Sequence, residues 1–203
     1  MTNEIHGICS MATRGLLAEV AAEYTRRTGV PVRTEPMSGV DALRRVVADE
    51  AFDVVFLAAD ALDKLAEVGK VDAAQQVALV NSGVAAAVPA GAPRPDISSE
   101  AALREAVLGA RRIAYSTGPS GVALLGLFRA WGIGEQLRNR LLPALPGVAV
   151  GSLLARGEAT LGFQQLSELI GLPGIELSGP LPGPIQINTV FSGAPCRAGA
   201  APR

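Results

Sequence analysis

Histidine occurs once in this chain, as His6, and cysteine twice, as Cys9 and Cys196. Metal centres need several Cys, His or carboxylate ligands at ordered spacing. No Cys/His cluster is present, so no metal site and no cofactor is expected. A Ser–His–Asp set would have to use His6, which opens the first predicted strand, at the end away from where ligands bind. The two cysteines make no disulfide framework; they pair only if the C-terminal segment returns beside the first strand. Aromatic residues are 4% of the 203, so Ala, Val, Leu and Gly must fill the interior.

Charge of one sign is lacking too. Eighteen Lys and Arg face 19 Asp and Glu, scattered along the chain, for a net charge of −1. A nucleic-acid partner calls for a basic face, and none is visible. Long apolar runs are also missing. The stretch Gly83–Ala92 is short and contains Pro89, whereas a membrane span needs about 20 apolar residues. Membrane insertion is therefore not expected. Met1–Glu4 shows no basic or apolar leader. The expected location is cytoplasmic as the sequence stands, and periplasmic if a signal peptide was removed.

What is present is a repeat. Ile5–Cys9, then Ser10-Met11-Ala12-Thr13, then a helical stretch Arg14–Tyr24 corresponds to Arg112–Tyr115, then Ser116–Gly121, then Val122–Trp131. The next units match as well: Val30–Glu35, Ser38-Gly39 and helix Asp41–Asp49 against Arg140–Leu145, Pro146-Gly147 and helix Val150–Arg156. Each is followed by a buried strand (Asp53–Leu57; Thr160–Gln164) and a helix (Asp60–Val68; Leu166–Ile170). Strands alternating with helices predict parallel sheets with right-handed crossovers. Helix one is expected to bury Leu16, Leu17, Val20, Ala21 and Tyr24 and to end at Gly29 in a left-handed cap. Helix two is expected to bury Leu43, Val46 and Val47. Ser98 or Ser99 caps the helix Ala101–Leu108.

The expected fold is therefore α/β: two similar lobes with mainly parallel sheets, residues 1–83 with 187–203 and residues 84–186. Asn81–Val88 and Gln186–Phe191 are the two strands that cross between them, forming a hinge. Ser178–Pro184 reads as polyproline-like, and Ser192–Arg203 as an irregular tail.

Hydroxyl residues gather just past strands and at helix starts, where free N–H groups and the positive end of the helix dipole favour anions. Any one serine there is first of all a cap. Repetition of the pattern in both lobes, rims facing one cleft, is what points to a shared small anion. The candidate ligand set is Ser10, Met11, Arg14, Ser38, Gly39, Ala59, Ser116, Pro119, Ser120, Gly121, Gln164 and Gln165. Arg14 stands in a first turn, where a cation opposes the dipole; it reads either as a counter-charge for a bound anion or as a simply exposed side chain. The Gly118–Gly121 stretch lacks the lysine of a phosphate-binding loop and the spacing of a dinucleotide fingerprint.

With Cys-Ser-Met-Ala-Thr after strand one, Met-Ser-Gly-Val-Asp-Ala-Leu before helix two and Ala-Tyr-Ser-Thr-Gly-Pro-Ser-Gly in the second half, the chain resembles bacterial substrate-binding proteins of the molybdate-binding type, which have the type 2 periplasmic-binding fold. Phe52–Leu65 and Ala155–Leu169 extend the likeness, which runs from about Ile5 to Ser192. The resemblance implies that Ser10 and Ser38 hydrogen-bond an oxyanion, and that amides of Ser116–Gly121 complete its cage. It implies transport, with the membrane component of an ABC transporter as a candidate partner. The family's transport members carry secretion signals and a further C-terminal helical segment, both missing from this sequence. Gln164, Gln165 and Arg14 suit a carboxylate-bearing metabolite better than bare molybdate. Some relatives with this fold are aconitate isomerases, so a proton-transfer isomerase of a tricarboxylic acid stays open, with Cys9, Tyr115 and Glu168 as candidate bases. A metabolite-sensing domain is the third alternative.

Overall fold

In a computed structural model, residues 4–145 and 147–197 are described; Pro146 and the stretch from residue 198 of the expected tail lie outside them. The chain divides into two compact units, Met1–Asn81 with Thr189–Arg203, and Ser82–Asn188.

The first unit opens with β1 (Ile5–Ser10) and, after a 3-10 turn at Met11–Thr13, α1 (Arg14–Thr28). Gly29 closes α1 at φ 74, the left-handed position that glycine adopts without steric cost. Then come β2 (Val32–Met37), α2 (Gly39–Val47), β3 (Val54–Ala58) and α3 (Ala59–Glu67). β1 pairs in parallel with β2 and β3. Ile8, Val55 and Leu57 point to the face covered by α2 and α3, where Ala42, Val46, Leu62 and Leu65 complete the core. Against expectation, Ala42 rather than Val47 is the second buried anchor of α2, with Val47 42% exposed. The predicted stripe of α1 is not core either: Leu17 is buried, whereas Leu16, Val20 and Tyr24 are 40%, 52% and 43% exposed. Described chain covers α1 along one narrow edge only.

β4 (Val77–Pro89) starts in the first unit and runs into the second. It begins four residues earlier than predicted. α4 (Glu100–Gly109) follows, with Ser99 as its cap. The second unit continues through β5 (Ile113–Tyr115), α5 (Pro119–Ala130), α6 (Gly134–Leu137), β6 (Leu141–Pro143), α7 (Val150–Ala155), β7 (Leu161–Gln165), α8 (Leu166–Leu169) and β8 (Ile175–Pro180). β5 pairs in parallel with β6 and β7, while β7 and β8 flank β4 antiparallel. Both faces are covered, one by Leu103, Leu124 and Phe128, the other by Leu153, Leu154 and Leu169.

Two segments differ from the prediction. Ser178-Gly179-Pro180 is not polyproline-like but the end of β8, its proline at an edge where no ladder N–H is missed. The irregular tail begins later than Ser192, because β9 (Asn188–Pro195) runs through it and pairs antiparallel with β3. This placement also separates the cysteines: β9 docks on β3 and not on β1, and both thiols are free and buried.

Candidate functional site

His6 lies at the entry end of β1, its Nε2 2.8 Å from Glu35 Oε1 and 3.0 Å from Arg33 Nη2. Arg45 donates to the other Glu35 oxygen at 2.8 Å, and Arg45, with His6, holds the Glu35 carboxyl below its usual range. This network belongs to the strand entries, opposite the strand ends where helices begin. Burial pushes the Cys9 thiol above its ordinary value and the Cys196 thiol up to about 11. Neither presents a thiolate at neutral pH, which leaves Cys9 a poor base.

At the exit ends of the strands, the helix starts near the expected residues differ in how fully they are capped. Ser38 accepts from Asp41 N–H at 3.1 Å and donates to Asp41 Oδ2 at 2.7 Å, and Asp41 also receives Arg44. The Ser-x-x-Asp spacing of such a cap is readable in sequence. Gly39 follows as the first residue of α2. The start of α2 is therefore closed, its dipole already met by a carboxylate. In the second unit α7 is closed differently. Gln164 Oε1 accepts from Val150 N–H at 2.8 Å, and Gln164 Nε2 donates to Glu168 Oε1 at 2.8 Å. Its buried amide is thus committed at both ends; a carboxamide fourteen residues away capping a helix leaves no local sequence signal. Gln165 is buried beside it.

The start of α5 is open, whereas α1 continues the 3-10 turn Met11–Thr13, with Arg14 N–H donating to Met11 O. Neither has a side-chain cap or an acidic residue in its first turn. Before α1, Ser10 Oγ accepts from Ala12 N–H at 3.3 Å, and Thr13 Oγ1 donates to Ser10 O at 3.0 Å. Met11 lies in the intervening 3-10 turn, and Arg14 is exposed with no ion pair among the described residues. Before α5, Ser116 Oγ accepts from Gly118 N–H at 3.1 Å, the counterpart of the Ser10 turn. Pro119 supplies no N–H, and those of Gly121 and Val122 close on Gly118 O at 3.0 and 3.1 Å. Ser120 is left with an unused N–H and an unused hydroxyl, although the residue is only 7% exposed. Gly121 makes this geometry attainable: a Cβ there would overlap the Ser116 carbonyl oxygen and stand 2.7 Å from its carbon.

Ala59 begins α3, whose cap residue Ala58 has no side-chain oxygen to offer. The structure thus gathers Ser116, Pro119, Ser120 and Gly121 on one turn, while Gln164 and Gln165 belong to the neighbouring strand β7. In the first unit, Ser10, Met11 and Arg14 share one turn, with Gly39 of α2 beside Leu57 of β3, which leads into Ala59. Sequence reasoning missed Asp41, whose carboxylate accepts the Ser38 hydroxyl hydrogen bond. Among the described residues no group of three or more His, Cys, Asp or Glu could hold a metal ion. None of the described helices is long and apolar enough to cross a membrane.

The model of one family, described as bacterial extracellular solute-binding protein, matches residues 5–203. The chain belongs to that family. Among curated proteins it is 41% identical over 188 residues to an aconitate isomerase from a Pseudomonas species, covering 89% of this chain and 71% of that protein. Among solved structures, the Azotobacter vinelandii periplasmic molybdate-binding protein matches with a TM-score of 0.77 at 21% identity, over 97% of this chain and 87% of that one. The L-phospholactate-bound form of PEB3, a protein of Campylobacter jejuni, matches with a TM-score of 0.73 at 15% identity, over 97% and 88%. At those identities the structures establish the type 2 periplasmic-binding fold. In this solute-binding protein the helix starts described above fall where that fold presents its strand ends.

Proposed function

We propose that this solute-binding protein captures a small anion, with the open start of α5 as its principal cradle. One observation carries the reading: Ser120 holds an N–H and a hydroxyl with no partner, nearly buried, at the positive end of a 12-residue helix without a first-turn acid. Such an end favours negative charge. One helix start contributes about 0.3–1 kcal/mol at a surface and ~2 kcal/mol when partly buried. Micromolar affinity takes roughly 8 kcal/mol, so several donors must act together. We assign the remainder to hydrogen bonds from Ser120 and from the Ser116 turn of the same unit. Gln164 holds α7 in place. The relatives' names support an anion: molybdate, phospholactate and aconitate all carry negative oxygens. Delivery to the membrane component of an ABC transporter follows from this role.

A second reading has its own support in the 41% identity to an aconitate isomerase. Here the bound anion is a tricarboxylate and is turned over by proton transfer, which needs a base within hydrogen-bond reach. Tyr115 and Glu168 are the remaining candidates. The test is a melting experiment with molybdate, phosphate, citrate and trans-aconitate, followed by proton NMR of the trans-aconitate sample. An anion at one hundred times its Kd stabilises by about 2.7 kcal/mol, a rise of roughly 5–10 °C. One rise among the four is the expected result; four flat curves contradict anion capture. New alkene signals would establish the isomerase, and an unchanged spectrum would exclude it.

A further inference from the structure

Among the described residues, two buried side-chain oxygens have no hydrogen-bond partner, Gln165 Oε1 and Ser178 Oγ. Folded proteins leave few such atoms, and each calls for a cause. Ser178 lies where β8 shifts register against β4, between the pairs Ala86–Gly179 and Ala87–Leu177, and belongs to that irregularity. Gln165 ends a regular strand instead. The residue is only 4% exposed and is held by other contacts, yet its Oε1 receives no hydrogen bond.

Gln165 and α5 belong to the same unit. In β7, Phe163 is the register partner of Tyr115 in β5 and packs with Leu124 and Phe128 of α5. Side chains two apart on a strand share a face, so Gln165 follows Phe163 on the α5 side. Gln164, between them, faces α7, where it meets Val150 N–H. α5 links the parallel strands β5 and β6, so it runs back against the strand direction. Leu124 to Ser120 spans about 6 Å along the helix axis at ~1.5 Å per residue. Phe163 to Gln165 spans about 6.6 Å along β7 at ~3.3 Å per residue. The Gln165 carboxamide therefore stands level with the first turn of α5, where Ser120 has an N–H and a hydroxyl to offer.

A carboxamide oxygen only accepts hydrogen bonds. Donors to an anion and one waiting acceptor thus meet at the same helix start. A molecule that satisfies both carries negative oxygens for Ser120 and a donor hydrogen for Gln165. An ammonium would bring positive charge to the positive end of α5. A carboxyl is ionised at neutral pH and has no proton to give. A hydroxyl fits. We propose that Gln165 sets the specificity of the α5 cradle, its Oε1 accepting from a hydroxyl of the bound anion, which makes that anion a hydroxycarboxylate. This rests on the anion reading above. The terminal torsion of a glutamine is broad, so the amide turns toward the ligand at little cost. Molybdate and trans-aconitate carry no donor at neutral pH and bind more weakly than a hydroxy acid of equal charge.

The experiment is calorimetric titration with two pairs of acids, citrate with tricarballylate and malate with succinate. Within each pair the carboxylates are the same and one hydroxyl differs. A site built to hydrogen-bond a hydroxyl rejects the analogue without it, because its own polar group is left unpaired. The expected result is that the unaltered chain binds at least one hydroxy acid at least tenfold more tightly than its counterpart. Gln165→Met keeps the reach of the side chain and loses the acceptor, and should bring that pair within twofold of each other. Equal affinities within both pairs overturn the proposal, as does a preference that survives in Gln165→Met. Melting without ligand checks that the variant folds; if it does not, the pairs on the unaltered chain decide. Binding of molybdate or trans-aconitate but of none of the four acids overturns the Gln165 contact and leaves anion capture standing. Binding of no anion at all ends both.

Discussion

Gly121→Ala unfolds the second unit at a temperature roughly 6–12 °C lower than the unaltered chain and abolishes ligand capture. The added Cβ has no room, because it overlaps the Ser116 carbonyl oxygen and approaches Tyr115 Cδ2 to 3.2 Å. The obstacle is backbone on a turn already pinned by Ser116 Oγ to Gly118 N–H and by Thr117 Oγ1 to Ala144 O. No side chain can swing away, so α5 must shift as a body. Overpacking of this kind costs about 3 kcal/mol, and each kcal/mol moves the melting temperature by about 2–4 °C in a chain of this size. Trp131 caps α5 and donates to Glu100 at 2.6 Å. As the chain's one tryptophan, its fluorescence reads the second unit. Gly118→Ala is the matched comparison: φ there is −77, and the new Cβ would have ordinary contact with Ser116 Oγ at 3.5 Å. A Gly121→Ala protein that melts like Gly118→Ala would contradict the close approach of α5 to the Ser116 turn.

Ser120→Ala should separate binding from stability. Its hydroxyl has no partner in the chain, so removing it leaves the fold unchanged or slightly more stable. A hydrogen bond to a charged group contributes about 1.5–3 kcal/mol, hence a loss of roughly 10–100-fold in affinity for the anion. Ser38→Ala should behave differently. Ser38 caps α2 and holds Asp41, and loss of such a cap costs about 1 kcal/mol of stability with or without ligand. The pair of variants separates the two roles that a serine before a helix can play. Calorimetric titration and ligand-free melting of both variants supply the check.

Much of the fold was legible because its signals are local. Asp53–Leu57 is apolar enough to be a covered strand, Gly29 marks a helix end, and the Ser10 and Ser116 turns repeat after equivalent strands. What was not legible depended on partners distant in sequence. β8 contains Gly179 and Pro180, and β9 ends in Gly193-Ala194-Pro195; both read as loop until β4 and β3 supply the pairing. The apolar stripe of α1 is real as a pattern, yet periodicity records which residues are apolar, not whether anything covers them. In the candidate site the sequence located the helix starts and could not rank them. Whether a start is open or closed turned on Asp41 for α2 and on Gln164 reaching Val150 for α7, and the second contact spans fourteen residues.

Amide chemical shifts of the uniformly labelled chain, followed through a titration with trans-aconitate and, in parallel, with molybdate, test the proposed cradle most directly. Anion capture at the start of α5 predicts that the Ser120 amide, which has no acceptor in the ligand-free chain, moves downfield further than any other in its unit as it gains one. Saturable binding that leaves Ser120 unmoved while amides elsewhere shift would contradict it.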